Sequence, residues 1–283
     1  MEHRDNMAVR VFSLTSLAMI AFAGNSLLCR AALQDTTIDA ASFTSIRMIS
    51  GALVLWLLIQ LRNGEAVGRG SWLSALALFV YAAGFSYAYL SLGAGTGALL
   101  LFGAVQATMI GYGLWQGERF TAVQVMGLLL ALSGLAGLLL PGMSAPPLSG
   151  AVLMLAAGCA WGVYSLRGRG AGDPTRVTAG NFMRAAPLAL LLSIVTMSQA
   201  NLDIAGVAYA IASGALASGV GYAIWYTSLP MLKATSAATV QLSVPVIASV
   251  GGILLLGEAL TLRLVLASIA ILGGIALVIW QKR

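Results

Sequence analysis

Tyr89-Leu90-Ser91-Leu92 returns as Tyr226-Thr227-Ser228-Leu229, and Arg47 returns as Arg184, each 137 positions later. Gly117-Glu118 returns as Gly257-Glu258 at a shift of 140, as does the small pair Ser133-Gly134 in Gly273-Gly274. Five hydrophobic spans fit inside one copy, so residues 1–141 and 142–283 read as two five-helix repeats. Because five is odd, the second copy has to enter a bilayer upside down relative to the first.

The bilayer itself follows from composition. With 59% hydrophobic and 8% charged residues and a mean hydropathy of +0.93, the chain has too little polar surface to cover a soluble sphere. A crossing needs roughly 20 apolar residues. Ten segments qualify: 11–32, 40–62, 71–92, 95–116, 121–140, 147–167, 175–199, 204–229, 234–256 and 261–281. Barrel strands would alternate in polarity, and Leu128 to Leu140 does not, so the spans are helices. The expected fold is an all-α integral membrane protein, its ten helices forming two inverted repeats around a central cavity. Arg4 and Arg10 before an apolar run resemble a signal peptide. Ala23-Gly24-Asn25-Ser26 nevertheless has a counterpart in Trp161-Gly162-Val163-Tyr164, so the segment is read as the first span. Cys29 and Cys159 both fall within spans and read as small apolar packing, with no disulfide framework or metal spacing.

Lysine and arginine mark cytoplasmic loops. With the N-terminus inside, that side collects Arg4, Arg10, Arg62, Arg69, Arg119, Arg167, Arg169, Arg176, Lys233, Lys282 and Arg283, against Arg30 and Arg263 opposite, a ratio of 11 to 2. Both termini are therefore expected in the cytoplasm. The net charge of +6 reports topology and implies no nucleic-acid partner. Trp56, Trp72, Trp115 and Trp280 fall near cytoplasmic span ends, as interfacial anchors do.

Intramembrane hydrolysis needs a nucleophile with a base, a carboxylate pair or a metal site. The single histidine is His3, and the nine acidic residues all lie in loops or at span ends. The chain is therefore expected not to be an enzyme and to hold neither metal nor cofactor. Glu118 and Glu258 follow glycines where helices begin and suit the helix dipole there. Arg47 and Arg184 stand inside spans, where arginine costs about 2.5 to 3.5 kcal/mol on insertion scales. Each either meets a substrate carboxylate in the cavity or serves structurally, capping unwound backbone.

Aromatic and amide side chains supply the remaining candidates. Trp161 and Tyr164 share a helix face, as do Tyr222, Trp225 and Tyr226, and Tyr81, Phe85 and Tyr89. Tyr81, Trp161 and Tyr222 are read either as a wall for flat apolar substrates or as core; Trp225, Tyr226 and Tyr89 are read as packing or anchoring. Asn25, Gln106, Asn181 and Gln241 add neutral polar groups, whose usual role is interhelical hydrogen bonding. Gly103, Ala107 and Gly111, and Gly214, Ser218 and Tyr222, form ridges for close helix approach. Pro187 and Pro245 break the ladder inside helices seven and nine, where the first copy has Ser50 and Gln106, and mark hinges.

These ten spans, the Gly-Glu pairs at 117 and 257, the Tyr-x-Ser-Leu segments at 89 and 226 and the small-residue fifth helices together resemble the EamA family of the drug/metabolite transporter superfamily. Within it the chain looks most like the bacterial YddG-type exporters of aromatic amino acids. The resemblance implies a basket in which helices one to four and six to nine line a cavity, with five and ten peripheral. It also implies export across the bacterial inner membrane. The expected substrates are aromatic or other neutral amino acids, moved by alternating access. Tyr81, Trp161, Tyr222 and Tyr164 are then candidates for contact with the ring, and Asn25, Gln106, Gln241 or an arginine for the polar end. With no carboxylate in a span to relay protons, transport is expected to be facilitative. The lipid bilayer is the other partner, and the expected state is a monomer or weak homodimer. Hydrophobic drugs and nucleotide sugars stand as alternative substrates, and a channel or structural membrane protein as an alternative class.

Overall fold

The computed structural model describes residues 2–61, 69–117, 119–142, 144–168, 171–228, 231–232 and 240–280, with backbone alone for 2–8 and 280. Glu118, Leu229, Arg62, Arg169, Lys233, Lys282 and Arg283 lie outside the described residues, as do the side chains of His3, Arg4 and Trp280. Among the described residues every long element is helical: α1 Glu2–Asp35, α2 Ala40–Gln60, α3 Trp72–Tyr89, α4 Ala94–Trp115, α5 Ala122–Leu139, α6 Leu148–Gly168 and α7 Pro174–Val195. The series continues with α8 Ile204–Ser228, α9 Ser243–Leu256 and α10 Leu262–Trp280. Nine of these are long and apolar enough to cross a membrane, and α9 adds a shorter apolar helix of 14 described residues. The protein is an all-α, multi-pass membrane protein.

Polar residues at span ends explain where the helices begin. Asp39, Ser71, Asp173 and Asp203 accept backbone N–H bonds at the first turns of α2, α3, α7 and α8, satisfying donors that hydrocarbon would leave bare. Thr121 and Gln124 close a capping box on α5. The capping aspartates also tie loops together. Asp39 accepts from Asn201 N at 3.0 Å, and Asp203 accepts from Thr37 N at 2.8 Å. Burial pushes the Asp39 carboxyl up, but hydrogen bonds from Ser42, Asn201 and Ala41 outweigh it and hold the group below its usual range. The Gly206 N–H does the same for Asp203.

Eight helices close into a ring in the order α1, α8, α2, α7, α3, α6, α4, α9 and back to α1. Every neighbour comes from the other half of the chain. Exchanging α1–α5 with α6–α10 leaves this list of neighbours unchanged, and α5 packs on α10 outside the ring. Close approach depends on glycine at a few points, as expected where lipid supplies no hydrophobic drive between helices. A methyl on Gly158 would meet Leu101 O at 2.5 Å and Ala104 Cβ at 2.6 Å, and one on Gly127 would meet Gly274 O at 2.6 Å.

Several sequence expectations need correction. The ridge of Gly103 and Gly111 is not a tight seam: a methyl added to Gly103 would meet Ile271 at 3.6 Å, an ordinary contact, and one added to Gly111 would meet no described neighbouring atom within 4 Å. Helix α4 instead receives the glycines of α6, at Leu101, Ala104 and Thr108. Cys29 is buried, but Cys159 is exposed and faces away from the packed interior. Pro245 is the third residue of α9, just after the turn at Leu242 that follows the helical residues Val240 and Gln241. Pro187 does lie inside α7, on an exposed face. Glu258 caps a helix other than its own: its two oxygens accept from Ala94 N at the start of α4, both at 2.9 Å. It also pairs with Arg30 Nε at 3.3 Å, and Arg30 Nη1 donates to Tyr89 O at 2.8 Å. The first turn of α10 is capped by Thr261.

Candidate substrate-binding site

Inside the ring, helix-face spacing brings aromatic side chains from both halves together. The Trp161 ring of α6 lies 4.8 Å from Tyr81 of α3, 5.1 Å from Tyr222 of α8 and 5.2 Å from Tyr164, the last in a stacked arrangement. Phe22, Phe85 and Phe182 close around them, with Phe22 and Phe182 5.7 Å and 5.9 Å from Tyr222 and Phe85 5.4 Å from Tyr81. A central cavity is lined by Phe22, Asn25, Ser26, Tyr81, Phe85, Leu101, Phe102, Trp161 and Tyr222. Its free volume is about 20 Å³, room for about one water molecule and far below the roughly 300 Å³ of a small ligand pocket. The helices are drawn in around the cavity.

A polar chain crosses one wall. Arg47 of α2 is fully buried, and its Nη2 donates to Tyr81 Oη at 3.0 Å while its Nε donates to Ser218 Oγ at 3.3 Å. Asn25 Nδ2 donates to the same Tyr81 oxygen at 3.2 Å, and Ser213 Oγ donates to Asn25 Oδ1 at 2.6 Å. The Arg47 guanidinium also stacks over the Phe85 and Tyr81 rings, at 4.9 Å and 5.2 Å. Cation–π contact and neutral oxygens together stabilise the buried charge. Arg47 Nη1 forms no hydrogen bond, and with Ser26 Oγ it makes up the buried polar side-chain atoms so left among the described residues. The described acidic side chains, Asp35, Asp39, Asp173, Asp203 and Glu258, all stand at helix ends. Among the described residues no carboxylate compensates Arg47.

A feature absent from the sequence reading holds this network. Within α8, residues Ala212–Val220 wind as a π-helix. In an α-helix, residues five apart point about 140° away from each other, whereas the wider turn of i→i+5 bonding brings them towards one face. The wider winding turns Ser213 and Ser218 towards the same network. The pairs Ser213-Gly214 and Ser218-Gly219 repeat at that spacing of five, which was the available signal. Gly214 is required here, because a methyl on it would overlap Arg47 O and Ser50 Oγ.

The structure thus brings Tyr81, Trp161, Tyr222 and Asn25 to one cavity, with Arg47 attached through Tyr81. Tyr164 backs Trp161 and accepts from Asn181 Nδ2 at 3.4 Å. Gln106 is buried on α4 and Gln241 is half-buried ahead of α9, and neither lines the cavity. Arg184 parts company with its counterpart: its Nη1 donates to Arg69 O at 2.6 Å and Gly180 O at 2.8 Å, holding the segment before α3. That is the structural of the two roles expected. Ser26, Phe22, Phe102 and Leu101 are further lining residues, single hydroxyl or apolar side chains whose position depends on helix rotation.

Residues 148–280 match the EamA-like transporter family. An uncharacterised protein of Pseudomonas aeruginosa is 62% identical over 95% of this chain and 94% of its own length. The threonine/homoserine exporter RhtA of Salmonella typhimurium is 32% identical over 54% of this chain and 53% of the exporter. A solved crystal structure of another protein superposes with a TM-score of 0.68, covering 94% of this chain and 95% of that one, and at 20% identity the likeness is one of fold. Helix arrangement, family match and full-length relative agree that the chain belongs to the EamA-like transporter family.

Proposed function

We propose that the protein exports small amphipathic metabolites, foremost aromatic and other neutral amino acids, by alternating access at the central cavity. The observation that carries the reading is the meeting of Tyr81, Trp161 and Tyr222 beside an arginine with no acidic partner among the described residues. Flat rings suit an apolar side chain, and the guanidinium suits a carboxylate. Similarity to RhtA, itself a threonine/homoserine exporter, supports amino acids as the class.

In this reading residues 1–141 and 142–283 are the two inverted repeats, and the ring opens towards each face in turn by exchanging their conformations. Pro187 and the turn before Pro245 absorb the bending. The protein sits in the bacterial inner membrane as a monomer or weak homodimer with both termini cytoplasmic, as its loop charges direct. Transport is facilitative, since no described carboxylate lies within the ring to carry protons.

Counterflow in proteoliposomes tests the proposal. Vesicles loaded with unlabelled phenylalanine, tyrosine, tryptophan, threonine or homoserine are diluted into the labelled counterpart. Transient label accumulation with at least one aromatic amino acid and without an imposed pH difference is expected. Accumulation only under a pH gradient removes the facilitative part, and none with any amino acid removes the proposal.

A further inference from the structure

The polar groups of the cavity are unevenly matched to an amino acid. Donors abound: the Ser26 hydroxyl lines the cavity without a hydrogen-bond partner, and directly behind Tyr81, outside the lining, Arg47 Nη1 is likewise buried without an acceptor. Tyr81 Oη already accepts from both Arg47 and Asn25, so its own proton also points outward from that pair. Acceptors are fewer and partly engaged: Asn25 Oδ1 takes the Ser213 hydroxyl on one of its two lone pairs, and Ser218 Oγ takes Arg47 Nε. A carboxylate therefore finds a charged partner and several donors, whereas an ammonium finds no charge of opposite sign among the described residues and meets the repulsion of Arg47.

Resting on the export reading above, we propose that the site selects for the carboxylate and does not need the amino group. Aromatic monocarboxylates lacking an α-amine, such as arylalkanoic or aromatic 2-oxo acids, are then ligands of the same cavity. The aromatic box holds the ring, and Arg47 Nη1 with the Tyr81 and Ser26 hydroxyls holds the carboxylate. Decarboxylated aromatic amines are excluded.

Binding to the purified full-length protein is measured for L-phenylalanine, 3-phenylpropionate and phenethylamine, alongside phenylalanine counterflow. The acid is expected to bind at least as tightly as phenylalanine, and the amine at least about tenfold more weakly, the worth of one hydrogen bond to a charged group. Arg47→Gln should abolish that ranking and Arg47→Lys should keep it with weakened affinity, a pattern that misfolding of one variant would not reproduce. Phenylalanine and phenethylamine binding without 3-phenylpropionate overturns this inference and leaves amino-acid export standing. Binding of 3-phenylpropionate without counterflow of any amino acid supports the inference and removes export of amino acids.

Discussion

Arg47 shows how sequence context can place a side chain without naming its partners. Arg47 and Arg184 occupy equivalent positions in the two copies, which argues for equivalent roles. The structure separates them, because Arg184 finds main-chain carbonyls of a loop within reach while Arg47 is enclosed by Tyr81, Phe85 and Ser218. Tyr81 is the junction: its oxygen is the one acceptor shared by Arg47 and Asn25. Replacing it by phenylalanine leaves two buried donors short of a partner, at about 1 to 3 kcal/mol for such a group. Tyr81→Phe should therefore lower the thermal midpoint in detergent, whereas Trp161→Phe, which breaks no side-chain hydrogen bond among the described residues, should lower it less. Equal midpoints for Tyr81→Phe and the parent would mean that the polar chain contributes nothing.

At the scale of elements, the hydrophobic runs were legible because length and hydropathy alone decide a crossing, whereas the capping side chains of α2, α3, α7 and α8 emerged only from the structure. Spans 40–62, 121–140 and 147–167 match α2, α5 and α6 within two residues at either end. Helix rotation was partly legible: three-residue spacing put Trp161 and Tyr164 on one face, and they stack. What periodicity could not supply was the π winding of Ala212–Val220, since a 3.6-residue rule was applied across it. The position of the close contacts on α4 escaped for a related reason, because a glycine ridge reveals a possible seam and not whether a neighbour fills it. Deleting Ala215 should remove the extra residue and restore α-helical bonding with Ser213 and Ser218 now four apart, still on one face. The variant should keep its helical circular dichroism and its counterflow. Lost counterflow in a folded variant would show that the π winding itself, and not the shared face, holds the site.

For the molecule as a whole, the neighbour list is the informative object. Each ring helix lies between two helices of the opposite half, and the list is unchanged when the halves are exchanged. A ring so built can place the same kind of contacts at either end, so that opening one face and closing the other exchanges equivalent packings. At the end of the bundle that carries Arg30, its pairing with Glu258 joins α1 to the start of α4 and the α9–α10 connection. At the other end, Asn181 accepts from Ser71 N and Arg167 donates to Ser74. The cavity of about 20 Å³ between them has to widen before an amino acid enters, and each face has to reach it in turn. Ser26 lines that cavity, and Cys29 and Cys159 are the cysteines of the chain. The direct test is Ser26→Cys in a background with both native cysteines changed to serine, treated in vesicles of known orientation with a membrane-impermeant thiol reagent from one side or the other. Alternating access around one cavity predicts labelling from either face, slowed by L-phenylalanine in both cases; labelling from a single face, unaffected by substrate, would contradict it.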